Sequence, residues 1–185
     1  MRIGVISDTH TPSTSREPPI EVARAFEGVD LILHAGDILI SSCLDWLEQI
    51  APVKAVELGA DLRFANDPRV EEKRIVQADG YSIGMVHDLI LRGLGGEVLA
   101  GTIPRVFQSD GSLSEAVERV FGSPVDIVVF GHTHHAVVEK HQGILVVNPG
   151  SPTLPKQIRK LGQVAIMELT PEGADARIVD LSEFS

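Results

Sequence analysis

Each of the first five Val- and Ile-rich runs in this chain is followed almost at once by an acid or a histidine, and that pattern limits what the chain can fold into. Asp8 and His10 follow residues 3–6, Asp37 follows 31–33, Asp61 follows 53–58, His87 follows 83–86, and His132 and His134 follow 127–130. Short apolar runs rich in β-branched residues and bounded by polar turns read as strands. Between the first three lie helix-like stretches, 19–27 with Ile20, Ala23 and Phe26 on one stripe, and 41–50 with Leu44, Leu47 and Ile50. A β-α-β-α-β order implies right-handed crossovers and parallel strands. In open α/β sheets ligands bind beyond the carboxyl ends of such strands, so these side chains are aimed at one crevice.

The second half has a different rhythm. Residues 74–86 read as a hairpin turning at Asp79-Gly80. Runs at 136–140, 144–147, 164–167 and 176–179 are joined by turns too short for crossover helices, which favours antiparallel pairing. The expected class is α/β, a two-sheet mixed β-sandwich flanked by helices in four layers, as one domain over 1–185. Residues 89–112, with Gly93, Gly95, Gly96, Gly101 and Pro104, read as a long surface loop carrying a short helix. A helix is expected over 113–121.

Composition narrows the chemistry. Cys43 is the single cysteine, which excludes internal disulfides and thiolate metal clusters and suits a reducing compartment. A formal charge of -10 argues against a nucleic-acid backbone as the main partner, since that task needs a dense positive face. Asp8 comes too early for a signal-peptide apolar region and no apolar run is long enough for a membrane helix, so the expected location is the cytoplasm, away from membranes. Carboxylates and imidazoles without thiolates suit Mn, Fe, Zn, Ni or Co. Two such cations roughly 3.5–4 Å apart clamp a phosphoryl group and acidify water between them. Gly36, Gly59 and Gly131 allow the sharp departures from the strands that bring such ligands together.

Asp8-Thr9-His10, Gly36-Asp37, His87, Gly131-His132-Thr133-His134 and Asn148-Pro149-Gly150-Ser151, in this order, resemble the motifs of the calcineurin-like metallophosphoesterases, the small bacterial and archaeal phosphodiesterases in particular. The resemblance runs from Asp8 to about Lys156. It implies a sandwich fold and two divalent transition-metal ions, Mn before Zn, Fe, Ni or Co. Asp8, His10 and His134 would hold one ion, His87 and His132 the other, and Asp37 would bridge. Asp37, His87 and His132 are then the expected catalytic residues, hydrolysing a small phosphoester, a phosphodiester first, through a metal-bound hydroxide. Two departures stand out. Where the family has Gly-Asn, this chain has Gly59-Ala60-Asp61, so Asp61 is the expected substitute ligand; and His87-Asp88-Leu89 lacks a second histidine for leaving-group protonation. The alternative is a weakly active or inactive binding scaffold on the same fold, as the small retromer subunit of eukaryotes allows.

The remaining residues have plainer readings. His34 is expected as a core-edge imidazole rather than support for a ligand, His135 as a surface residue, His141 as a turn residue and Cys43 as packing. Asn148 reads either as part of a structural turn or as an amide supporting the histidine pair or the substrate phosphate, and it is the expected substrate contact. Lys156, Arg159 and Lys160 form either an anion-facing stretch or a solvated face. A homodimer is compatible with an acidic chain of this size.

Overall fold

Strands that are apolar on both faces need a layer on each side, and here the alternation of each strand serves two separate cores. The computed structural model describes residues 1–64, 66–153 and 161–185, with Asp61 and Leu62 as backbone only. In the first sheet β1 (Arg2–Ile6), β2 (Leu31–His34) and β3 (Val53–Val56) run parallel, with Ile3 opposite Leu31 and Ile32 opposite Val53. A two-residue β4 (Val70–Glu71) extends it beyond β3. The second sheet comprises β5 (Lys73–Ala78), β6 (Tyr81–Val86), β7 (Ile127–Val129), β8 (Val137–His141) and β9 (Ile144–Asn148), in the order β5-β6-β7-β9-β8. The chain then returns to the first sheet, where β10 (Gln163–Thr170) pairs antiparallel with β1 and carries β11 (Gly173–Asp180) at the edge.

Ile3, Val5, Leu31 and Leu33 point inward to meet Ile83, Met85, Ile127, Val129, Leu145 and Val147 between the sheets. Their neighbours Ile6 and Ile32, with Val164 and Ile166, point outward beneath α1 (Ile20–Ala25) and α2 (Ser41–Glu48), packing on Val22, Phe26, Leu44 and Leu47. On the far side Val128, Phe130, Ile144 and Val146 pack under Leu113, Val117 and Phe121 of α5 (Ser112–Phe121). The result is helix, sheet, sheet, helix.

The structure departs from the expectation in two places and refines it in a third. The antiparallel reading holds for the β8–β9 and β10–β11 hairpins, but β7 pairs parallel with β9, because β8 occupies the sheet edge and returns the chain inward. Residues 89–112 form a mostly exposed loop carrying the short α4 (Thr102–Val106), as expected, but Leu89, Leu91, Val98, Ile103 and Phe107 are buried on the second sheet and anchor it there. Finally, β3 ends at Val56, and α3 (Ala60–Arg63) forms where the sequence suggested only a strand end. Among the described residues no helix is long and apolar enough to cross a membrane.

Candidate metal centre

The loops that leave β1 and β2 are zipped together by backbone before any side chain is considered. Asp8 N donates to Gly36 O at 2.8 Å and His10 N to Asp37 O at 2.9 Å. Gly131 N donates to His87 O at 2.9 Å, which ties the second sheet's two loops in the same way. Close approach dictates the glycines: a Cβ on Gly131 would lie 1.9 Å from Ser7 Oγ and 2.7 Å from Asp8 Oδ2. Asp8, His10, Asp37, His132 and His134 all have positive φ, between 49° and 71°. Left-handed backbone is uncommon outside glycine and concentrates where the surrounding structure forces a functional geometry.

Asp8, His10, Asp37 and His134 each place one donor atom within 4.8 Å of the others'. His10 Nε2 lies 3.1 Å from His134 Nε2 and 3.4 Å from Asp37 Oδ2, and His134 Nε2 lies 3.3 Å from Asp8 Oδ1. Ligands bonded at about 2.1 Å to one cation stand roughly 3.0–3.4 Å apart, so this spacing and this mix of oxygen and imidazole fit a divalent transition metal. His87 joins through Asp37, its Nε2 3.7 Å from Asp37 Oδ2, and its ring meets that of His132 edge-on with centroids 5.3 Å apart. His132 is anchored by its own backbone, which donates to both Asp8 carboxylate oxygens at 3.1 Å.

The His87 tautomer follows from its neighbour. Nδ1 stands 2.8 Å from Ala35 O, and a carbonyl only accepts, so Nδ1 carries the proton and Nε2 presents its lone pair towards Asp37. That is the form a metal ligand needs. His34 is fixed by the same logic: Gly36 N donates to its Nδ1 at 3.2 Å, so Nε2–H donates to Thr9 Oγ1 at 3.1 Å. Thr9 in turn donates to Asp37 O at 3.3 Å. Complete burial pushes the His34 pKa down to about 3, against a weaker opposing pull from Asp8, which keeps it neutral. Rather than a bystander at the core edge, His34 clips together the Asp8 and Asp37 loops.

Burial works to raise the Asp8 carboxyl, but hydrogen bonds from His134 and Ser7 and the nearby His87 outweigh it and leave the pKa lowered. The bond to Asp8 raises that of His134 against its own burial. Asn148 is fully buried, and its amide is spent: Nδ2 donates to Gly131 O and Thr133 Oγ1, and Oδ1 accepts from Gly150 N. In this arrangement Asn148 braces the loop bearing His132 and His134, one of the readings the sequence offered for it. Ser151 Oγ adds a bond to Asp8 O at 2.8 Å. Asp61 stands in α3, but its side chain lies outside the described residues, as do Lys156, Arg159 and Lys160. Sequence reasoning passed over Glu57, which follows β3 as Asp8 follows β1. Its signal was hidden by counting it within the apolar run 53–58.

Comparison with known proteins gives a consistent picture. Residues 1–172 match the model of the calcineurin-like phosphoesterase superfamily domain. A protein of Methanocaldococcus jannaschii described as a probable metallophosphoesterase is 35% identical over 184 residues, 99% of this chain and 83% of that one. Among solved structures, Vacuolar Protein Sorting 29 of Cryptosporidium parvum superposes with TM-score 0.63 at 21% identity, covering 97% of this chain and 96% of the other. A novel archaeal phosphodiesterase gives TM-score 0.60 at 19% identity, covering 97% and 100%.

Proposed function

The chain belongs to the calcineurin-like phosphoesterase superfamily, and from that premise we propose that it hydrolyses a small phosphoester, a phosphodiester in preference, with the help of two divalent cations. The observation that carries this reading is the gathering of Asp8, His10, Asp37 and His134 around one point, with the His87 lone pair turned to the same Asp37. In this proposal Asp8, His10, Asp37 and His134 hold the first ion, Asp37 reaches both, and His87 and His132 serve the second. Bound there, the ions supply Lewis acidity towards the phosphoryl oxygens and lower the pKa of water.

The chain's own residues do the positioning. Ala35 O holds His87 in its ligating tautomer, His34 and Thr9 hold the Asp37 loop to the Asp8 loop, and Asn148 braces the His132–His134 turn. The reaction adds water across a P–O bond, and the leaving oxygen takes a proton. With Asp88-Leu89 after His87, no second histidine stands at that motif for this task, so good leaving groups are the preferred substrates.

Two observations favour a second reading, a protein-binding scaffold with little or no turnover: Ala60 stands where the family pattern has an asparagine ligand, and the fold superposes on a vacuolar sorting protein. Metal analysis of purified protein, together with hydrolysis of bis(p-nitrophenyl) phosphate in added Mn, separates the two. The enzyme reading expects bound ions and turnover, whereas ions without turnover would select the scaffold.

A further inference from the structure

Glu57 is an acid buried to 0% exposure at the edge of the centre, and the roles assigned above make no use of it. It directly follows β3, and carrying the β2–β3 register on from His34 opposite Ala55 sets it beside Gly36 and Asp37. One carboxylate oxygen, Oε2, accepts from Ile38 N at 2.8 Å, the amide next to Asp37. The other, Oε1, is buried and receives no hydrogen bond among the described residues. Arg63 Nη2 stands 3.8 Å from it, beyond hydrogen-bond reach, on a side chain 49% exposed. The strand register and the bond from Ile38 N thus set Glu57 beside the loop bearing Asp37, whose carboxylate in turn faces His87 Nε2, and both are among the residues proposed for the second ion.

An ionised carboxylate taken out of water needs a counter-charge in good geometry, and Asp37 beside it makes the need greater. Oxygen from Glu57 and Asp37 with nitrogen from His87 is a donor set for Mn, Fe, Zn or Co. From this placement, and resting on the two-cation reading above, we infer that Glu57 supplies the second ion with the ligand that the Ala60 position lacks. Glu57 thus takes the part that sequence reasoning gave to Asp61. Burial raises the Glu57 carboxyl pKa against the smaller opposing effect of the Ile38 amide, so ionised Glu57 needs a positive charge beside it.

The test is Mn titration of the metal-stripped protein, with stoichiometry and affinity read by metal analysis and calorimetry. Wild type is expected to take up two ions. Glu57→Gln, whose amide carbonyl still accepts from Ile38, should keep the first and bind the second about tenfold or more weakly. Asp61→Ala should keep both. In crystals of the Mn-loaded wild type, which do not depend on how the variants fold, anomalous scattering should place an ion about 2.0–2.2 Å from Glu57. Unchanged binding of two ions by Glu57→Gln, loss of the second ion in Asp61→Ala instead, or an ion out of Glu57's reach each overturns the inference while sparing the two-cation reading. A wild type that binds no ion removes both.

Discussion

Gly36→Ala probes the contact between the two sheets where the centre is most crowded. Gly36 has φ +106°, and a Cβ there would fall 2.3 Å from His87 Nδ1 and 2.5 Å from its Cγ. The backbone conformation alone costs a non-glycine residue about 1–3 kcal/mol. Displacing a packed ring costs about 1–3 kcal/mol more. Moving that ring also breaks the 2.8 Å bond from Nδ1 to Ala35 O, a loss of about 1 kcal/mol. Because one ring shift relieves the clash and breaks the bond, these do not simply add, and a total of about 3–5 kcal/mol is expected. At about 2–4 °C per kcal/mol for a chain of this size, the metal-free protein should melt roughly 6–20 °C lower. The freed imidazole loses its fixed tautomer, so Mn affinity at the His87 side should fall about 10–100-fold. Thermal unfolding followed by circular dichroism in EDTA reads the first effect and calorimetric Mn titration the second. Gly96→Ala, where a Cβ meets nothing within 4 Å, is the control and should change stability by less than about 0.5 kcal/mol. A Gly36→Ala protein that melts with wild type and binds two ions normally would refute the placement of His87 against this loop.

Further outcomes follow from the same geometry. Asp37→Ala should release both ions and abolish hydrolysis of bis(p-nitrophenyl) phosphate, whereas two ions retained would refute bridging. Asn148→Ala leaves Gly131 O and Gly150 N without their partner and should lower stability by about 2–4 kcal/mol, yet leave KM unchanged once Mn saturates; a raised KM at saturating Mn would favour the substrate-contact role. His34 has a folded pKa of about 3, below its ordinary value, so the stability it contributes is present above about pH 6.5 and lost as pH falls towards 3. Acid unfolding of metal-free protein should show this as a loss of a few kcal/mol that is missing in His34→Gln; identical acid limbs would contradict it. His134, raised by Asp8, prefers its proton, so cation affinity should decline as pH falls from the neutral range. Mn titrations at two pH values check the sign.

The sequence showed the centre more clearly than the scaffold around it, for a physical reason. Asp8, Asp37, His87 and His134 each stand just past a strand, and parallel strands end on one edge, so local periodicity alone predicts that they converge. What holds them there is not local. Asn148 meets Gly131 across 17 residues and Ser151 meets Asp8 across 143, pairings that no periodicity reports. Residues 89–112 are the loop with a short helix that Gly93, Gly95 and Gly96 suggested, but the residues that pin it down, Leu89, Leu91, Val98, Ile103 and Phe107, are irregularly spaced against one sheet face, where neither a period of 3.6 nor of 2 reveals them. Glu57 escaped because it lies inside the run 53–58 that reads as one apolar strand, and only coordinates show that the strand ends at Val56 and that the acid is fully buried.

The strain at the centre bears on its purpose. Asp8, His10, Asp37, His132 and His134 are held on left-handed backbone, and the carboxylates of Asp8, Asp37 and the buried Glu57 are crowded together with only partial compensation from His134, His10 and the Ile38 amide. His34, Thr9, Asn148, Ser151 and the Gly36 and Gly131 contacts all work to impose the arrangement. A scaffold that only docked a partner through its outer surface would gain nothing from maintaining so costly an interior. If ions are bound, the folded state should gain stability as RT ln(1 + [M]/Kd), about 2.7 kcal/mol at a hundredfold excess over Kd, and the melting temperature should rise with Mn concentration. The same titration on Asp8→Asn, which removes the charge buried deepest among the donors, should show a much smaller rise. Equal rises in both proteins would mean that Mn acts elsewhere on this acidic surface and that the clustered side chains serve some other end.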